Sequence, residues 1–168
     1  VPTYDELILI TAVPNKLAGG LSGLGMLGAR GFWSTYTWEH VAAQAGMMLF
    51  DDQWNPTLNT DAGMKGMETI LALSKNAIEG VAGAGWGENR AAWLGGQVAA
   101  NISWQDSGTQ AMRPDQSQIV DDFVTIYEPR IAGGVFAPPN IAGSTSVVTA
   151  TSQNKEGAFL MLAFLTTS

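Results

Sequence analysis

Cysteine is absent from this 168-residue chain. Disulfides, thiol chemistry and cysteine-ligated zinc are thereby excluded. Basic residues are scarce: eight Lys and Arg stand against fifteen Asp and Glu, a net charge of −7, and the basic ones never form a run. A nucleic-acid footprint needs a basic patch, so no nucleic-acid partner is expected. An anionic membrane surface is an equally poor partner. There is one histidine, His40, so neither a Ser-His-Asp grouping nor a His-rich metal site can be argued, and no cofactor is implied. No apolar run reaches the roughly 20 residues of a membrane-spanning helix. The opening VPTYDEL lacks the basic start and apolar stretch of a signal peptide. Its first residue is Val rather than Met, which reads as a processed product or an excised piece.

What is present fits one domain with a real core: 46% hydrophobic and 14% charged residues, with 20 glycines. Thr3 to Glu6 fits a capping box, with Leu7, Ile10 and Val13 on one helical face before Pro14. A short strand is expected over 24–28. Trp38, Val41, Ala42 and Ala45 have amphipathic helical spacing, stopped at Gly46. The stretch 47–60 suggests two short strands around an Asp-Asp and Asn-Pro turn. Thr60 is placed to cap a helix whose first turn holds Asp61. Met64, Met67, Leu71 and Ser74 would line one face of it, widened by Ile70, Leu73 and Ala77. The segment around 89–96 predicts a short helix, and 97–103 a buried strand. Further strands are expected in FVTIYEP and TSVVTAT, and a last helix from near Ser152 with Ala158, Phe159, Leu162 and Leu165 on one face. Helices interleaved with short strands predict an α/β or α+β domain with a small sheet.

Most candidate chemistry has a bland explanation. His40 neighbours Glu39, but adjacent residues point to different sides of a helix, so it reads as a surface histidine. The pairs Asp51-Asp52 and Asp121-Asp122 lie in turn-like contexts, where Asp stabilises turns through its own backbone. GLGMLG at 23–28 matches G-x-G-x-x-G literally. The segment before it is not a strand, so in a glycine-rich chain the match reads as chance. Met64 and Met67 read as core filling.

Aromatic and small polar residues in loops remain: GFWSTY, GAGW, SWQDS and IAGST. Indoles stack on flat apolar ligand faces while NH and OH groups fix orientation, and sugar rings present such faces edged with hydroxyls. Trp38 and Trp93 sit on helical faces and read as core. Trp33, Tyr36 and Trp104 sit at element ends, where composition alone leaves core and ligand platform equally open.

The order of segments resembles bacterial extracellular solute-binding proteins, family 1, the maltose-binding-protein-like group. VPTYDEL resembles their Pro-Thr-Trp-Asp-Glu-Leu segment. GMMLFDDQWNPTLNTDAGMKGMETILAL resembles their Gly-Gly-x-Leu-Phe stretch, Leu-Asn-Thr turn and following helix. AAWLGGQVAANISW looks like their Phe-x-x-Gly-x-x-Ala-Met segment with its Trp, although Ala100 replaces the Met. RPDQSQIV is similar to a loop of sugar-binding members. AGSTSVVTATSQNKEGAFLMLAFLTTS looks like their cleft-side strand and Ser-x-Asn-Lys-Glu helix, with Ala142-Gly143-Ser144 in place of a frequent Gly-Gly-Trp.

By this resemblance the fold is an α/β, periplasmic binding protein-like (type II) single lobe: a small mixed sheet flanked by helices. Residues 1–168 would form the C-terminal lobe of a two-lobe protein, its N-terminal lobe absent. The resemblance implies the substrate-binding component of an ABC importer, not an enzyme. Such a protein would be periplasmic or anchored to the cell surface by lipid. It would capture a small carbohydrate or polyol and deliver it to permease subunits. Trp33, Ser34, Tyr36, Trp104, Asp106, Gly143 and Ser144 are the matching ligand-side positions, with no catalytic or metal site, and the stretch carrying Trp33 would be a loop. Three alternatives stand beside this. They are a glycoside hydrolase-like domain using Asp106 and Glu88, a lobe used only for protein contact, and a binder of a non-sugar solute.

Overall fold

The computed structural model describes residues 1–14, 19–135 and 146–167. Helix α1 (Tyr4–Thr11) starts where the sequence places it. Thr3 Oγ1 accepts from the Glu6 amide, and the Glu6 carboxylate accepts from the Thr3 amide. Its buried face is not the expected one. Tyr4, Leu7 and Thr11 turn inward, whereas Ile10 and Val13 are exposed. The Thr11 hydroxyl satisfies itself by donating to the Leu7 carbonyl at 2.7 Å, which makes a polar residue tolerable inside.

Strands β1 (Ser22–Gly25) and β2 (Val98–Asn101) pair in parallel, in the register Ser22–Val98 and Leu24–Ala100. Leu24 also bridges Ala77 in parallel. The sheet expected to be mixed is therefore parallel in every pairing described, and the strand expected at 24–28 lies at 22–25.

Helix α2 (Phe32–Gln44) begins earlier than the apolar spacing suggests. It starts directly after Gly31, whose φ of +91° suits only glycine. Trp33 and Tyr36 are thus helical residues, not loop residues. Helix α3 (Asp61–Ser74) is capped by Thr60, whose hydroxyl accepts from the Gly63 amide at 3.3 Å. α2 and α3 pack closely. Gly66 meets Ala42 where a methyl group would come within 2.6 Å of the Ala42 Cβ, and the Trp38 indole donates to the Gly63 carbonyl at 2.9 Å. This contact turns α3 away from the expected orientation. Gly63, Gly66, Ile70 and Leu73 face inward, while Met64, Met67 and Leu71 are 53%, 41% and 58% exposed. The methionines are surface, not core filling.

A single 3-10 turn (Val81–Gly83) leads to α4 (Trp86–Leu94), β2 and the short α5 (Asp106–Ala111). The core gathers Tyr4, Leu7, Leu24, Met26, Val41, Ile70 and Leu73, with Trp38 packed against it. One expected strand pair and one expected strand are missing. The stretch 47–60 shows one antiparallel bridge, Phe50–Pro56, closing a turn held by Asp51. FVTIYEP forms no strand, with Val124, Ile126 and Tyr127 exposed. Phe123 packs edge-on to Trp93, and just past the other end Arg130 bridges Thr3 in parallel.

The chain divides into two units, Val1–Pro138 and Pro139–Ser168. Within the second, residues 146–151 form no strand, so that expectation fails where described. Helix α6 (Lys155–Thr167) follows, its first turn capped by Asn154 Oδ1 accepting from the Gly157 amide at 3.0 Å. Of the face expected to be apolar and inward, Phe159 and Leu165 are exposed.

Candidate functional site

Ligands of open α/β sheets bind beyond the carboxyl ends of the parallel strands, where the chain leaves the sheet toward the next helix. Three such departures converge here. β1 leads to α2 and its first-turn Trp33. The segment after Ala77 leads to the start of α4, with Trp86 and Glu88. β2 leads to Trp104. Together Trp33, Gly85, Trp86, Gly87, Glu88 and Trp104 line a cleft of about 540 Å³, within the usual size range of small-ligand sites.

The rings form one cluster. Trp33 and Trp104 centroids lie 5.7 Å apart, inclined by 50°. Tyr36 stands edge-on to Trp104 at 6.0 Å and 84°. Phe32 packs edge-on to Trp33 at 5.0 Å and beside Tyr36 at 5.9 Å. Each such pair contributes about 0.5–1.5 kcal/mol beyond area burial, so the platform is held by its own contacts. On the α4 side, the Arg90 guanidinium lies 5.0 Å over the Trp86 ring and donates to Gln116 at 3.2 Å. The Glu88 carboxylate accepts from the Gly85 amide at 2.9 Å, completing the helix start.

Several polar atoms around these rings are buried without a hydrogen-bond partner among the described residues: Trp104 Nε1, Asp106 Oδ1, Gln110 Oε1, Asn101 Oδ1 and both amide atoms of Asn89. Asn89 is fully buried. Its side chain and that of Asn101 both crowd over Gly25 at the end of β1. Buried polar groups are normally satisfied, so this set marks a polar layer beneath the rings; of its residues Trp104 alone lines the cleft.

The predicted positions divide as follows. Trp33 and Trp104 line the cleft, and Tyr36 backs Trp104. Asp106 heads α5, one carboxylate oxygen accepting from Gln110 at 2.9 Å and the other open. Ser34 donates to the Gly31 carbonyl at 3.3 Å and is not a lining residue. Gly143 and Ser144 lie outside the described residues. Sequence reasoning flagged GAGW as aromatic but did not put Trp86 in the site. It missed Asn89 altogether, since only the fold brings α4 under the platform. His40 differs from the surface reading too: it is part-buried and paired with Glu128. Among the described residues no cluster of His, Asp and Glu could hold a metal ion, and no helix is long and apolar enough to cross a membrane.

The chain belongs to the family described as bacterial extracellular solute-binding protein, whose profile matches residues 2–168. It is 26% identical over 167 residues to a probable amino-acid ABC transporter periplasmic-binding protein of Sinorhizobium fredii, covering 98% of this chain and 36% of that protein. Its fold is similar to that of an ABC transporter solute-binding protein of Agrobacterium radiobacter K84 in complex with ribitol. The TM-score there is 0.80 at 22% identity, over 98% of this chain and 42% of that one. Maltose-bound MalE3 of T. maritima is also similar, with a TM-score of 0.69 at 20% identity, over 82% of this chain and 36% of that one. The fold is that of type II periplasmic binding proteins. The chain spans well under half the length of these relatives. The family is one of solute-binding proteins, not of enzymes.

Proposed function

We propose that this chain is one lobe of the two-lobe binding component of an ABC importer, and that it takes a neutral sugar or polyol into a cleft closed by hinging. The observation that carries the reading is the convergence of Trp33, Trp86 and Trp104 onto one cleft, where the chain leaves β1, the Ala77 bridge and β2. Indole faces take the apolar C–H face of the ligand, and polar groups at the cleft wall, Glu88 among them, read its hydroxyls. Closure shifts an open–closed population in favour of the bound form, which docks on membrane permease subunits outside the cytoplasmic membrane. No bond in the ligand is made or broken, so Asp106 and Glu88 orient rather than react.

The relatives differ in ligand, one being a probable amino-acid carrier protein and another holding ribitol. The make-up of the cleft supports the polyol reading. An amino acid's carboxylate is favoured by a facing cation, whereas among the described residues the charged side chain lining this cleft is the acidic Glu88, with Arg90 set behind Trp86.

One lobe supplies half of such a site, so the chain alone is expected to bind at millimolar strength. Indole N–H resonances should be followed by NMR as ribitol, mannitol, maltose, glutamate and leucine are titrated in. The signals of Trp33, Trp86 and Trp104 should move with a polyol or sugar, while those of Trp54 and Trp93 stay. Response to the amino acids alone, or to nothing, would overturn the polyol reading. Micromolar affinity would contradict the half-site.

A further inference from the structure

The ring platform is not free-standing. Behind it runs a chain of contacts to the place where the segments 1–3 and 124–130 meet. There Tyr4 N donates to the Arg130 carbonyl at 2.9 Å, and Arg130 N to the Pro2 carbonyl at 3.0 Å. Two residues before Arg130, the Glu128 carboxylate reaches inward. One oxygen accepts from the Tyr4 hydroxyl and the other meets His40 Nε2. Tyr4 is almost wholly buried. Burial, then the Glu128 charge and hydrogen bond, hold its phenol far above the ordinary range, so it remains a donor at any working pH. His40 lies one helical turn after Tyr36 on α2, and the two rings stack at 6.5 Å and 27°. Tyr36 in turn meets Trp104 edge-on.

Resting on the binding-lobe reading for its functional consequence, we propose that Glu128 is a positioning residue. Through His40 it fixes the tilt of Tyr36 and Trp104, and so couples the pairing of Pro2–Thr3 with Arg130 to the shape of the ligand platform. The chemistry is specific. Glu128 spans two helices with one carboxylate, Tyr4 at the start of α1 and His40 in α2. A shortened side chain at 128 cannot hold both. Val124, Ile126 and Tyr127 are exposed; the segment is held at one end by Phe123, edge-on to Trp93 at 5.7 Å, and at the other by the Glu128 carboxylate and the Arg130 bridge. A displacement of Glu128 therefore acts on His40 and on the core residue Tyr4 together.

The test uses Glu128→Gln, Glu128→Ala, His40→Gln and the double variant Glu128→Ala/His40→Gln. Global stability is followed by urea, the Trp104 indole N–H by NMR, and ribitol response by the same titration. Glu128→Ala and His40→Gln should each shift the Trp104 signal while leaving Trp54 and Trp93 in place. The double variant should shift it no further than either single change, the signature of one connected unit. Glu128→Gln, which keeps an acceptor for Tyr4 but loses the charge facing His40, should produce the Trp104 shift with little loss of stability. Ribitol affinity should fall by about tenfold in each single variant. An unmoved Trp104 signal in the single variants, or strictly additive shifts in the double, would overturn the proposal. If the parent chain ignores ribitol, the polyol reading fails and the Trp104 shifts alone decide the positioning role.

Discussion

Gly66 and Gly87 both lie inside helices, yet replacing each by alanine should move stability in opposite directions. Alanine is favoured over glycine within a helix by about 1 kcal/mol. At Gly87, in the first turn of α4, nothing lies within 4 Å of the position a methyl group would take, so the full gain should appear. At Gly66 the methyl carbon would come 2.6 Å from Ala42 Cβ, 2.8 Å from Ala42 Cα and 2.9 Å from Ala42 N. Carbon atoms sit best at about 3.5–4.0 Å, so the shortfall is about 1 Å. Two of the three atoms are backbone, and no rotamer change relieves them. Helices α2 and α3 must separate along an interface that also carries the bond from Trp38 to Gly63. Overpacking of this kind costs about 1–3 kcal/mol. The rigid neighbours favour the upper half, leaving a net loss of about 1–2 kcal/mol after the helical gain. With a urea slope of about 2 kcal/mol per molar, the midpoint should fall by about 0.5–1 M for Gly66→Ala and rise by about 0.5 M for Gly87→Ala. Ala42→Gly should rescue Gly66→Ala only partly, since Cα and N of residue 42 remain in the way. A Gly66→Ala midpoint equal to or above that of the parent would refute the close-contact argument.

Two further outcomes follow from local structure. Thr60→Ala removes the acceptor for the Gly63 amide and should lower stability by about 1 kcal/mol, measured by the same urea transition; Thr60→Asp should restore it. The Asp51 carboxylate is held below its ordinary range by hydrogen bonds, chiefly from the Asn55 side chain and amide, then from the Gln53 amide. A lowered folded value means the turn is supported above the ordinary aspartate value near 3.9 and loses that support only as pH falls through the lower, folded value. Amide exchange at Gln53 and Asn55 should therefore stay slow through the ordinary carboxylate range and quicken only in stronger acid; loss of protection well above that range would contradict it.

What was legible in the sequence is what short range decides. Thr3 with Glu6 and Thr60 with Asp61 announce two helix starts because a cap involves residues three apart. The burial of α3 was not legible. Its apolar spacing points to Met64, Met67 and Leu71, widened by Ile70 and Leu73; the last two are indeed core, but close approach to Ala42 demands glycine, and Gly63 and Gly66 rotate the buried stripe by one residue, leaving the methionines outside. FVTIYEP alternates like a strand, but no neighbour among the described residues pairs with its middle. Alternation marks a segment suited to a sheet without supplying the partner. In the site, aromatic density pointed to Trp33, Tyr36 and Trp104, which the fold does bring together. Trp86 and Asn89 escaped because their relevance depends on a third parallel departure near Ala77, too short to register as a strand. His40 looked idle because its partner, Glu128, is 88 positions away.

The bridge between Thr3 and Arg130 has an architectural consequence. The chain between them sets out from and returns to one spot, its two feet stitched together by a pair of main-chain bonds. Such a loop of more than a hundred residues resembles a plug-in cartridge. It could be lifted out and grafted between two adjacent strands of another scaffold without stretching either foot.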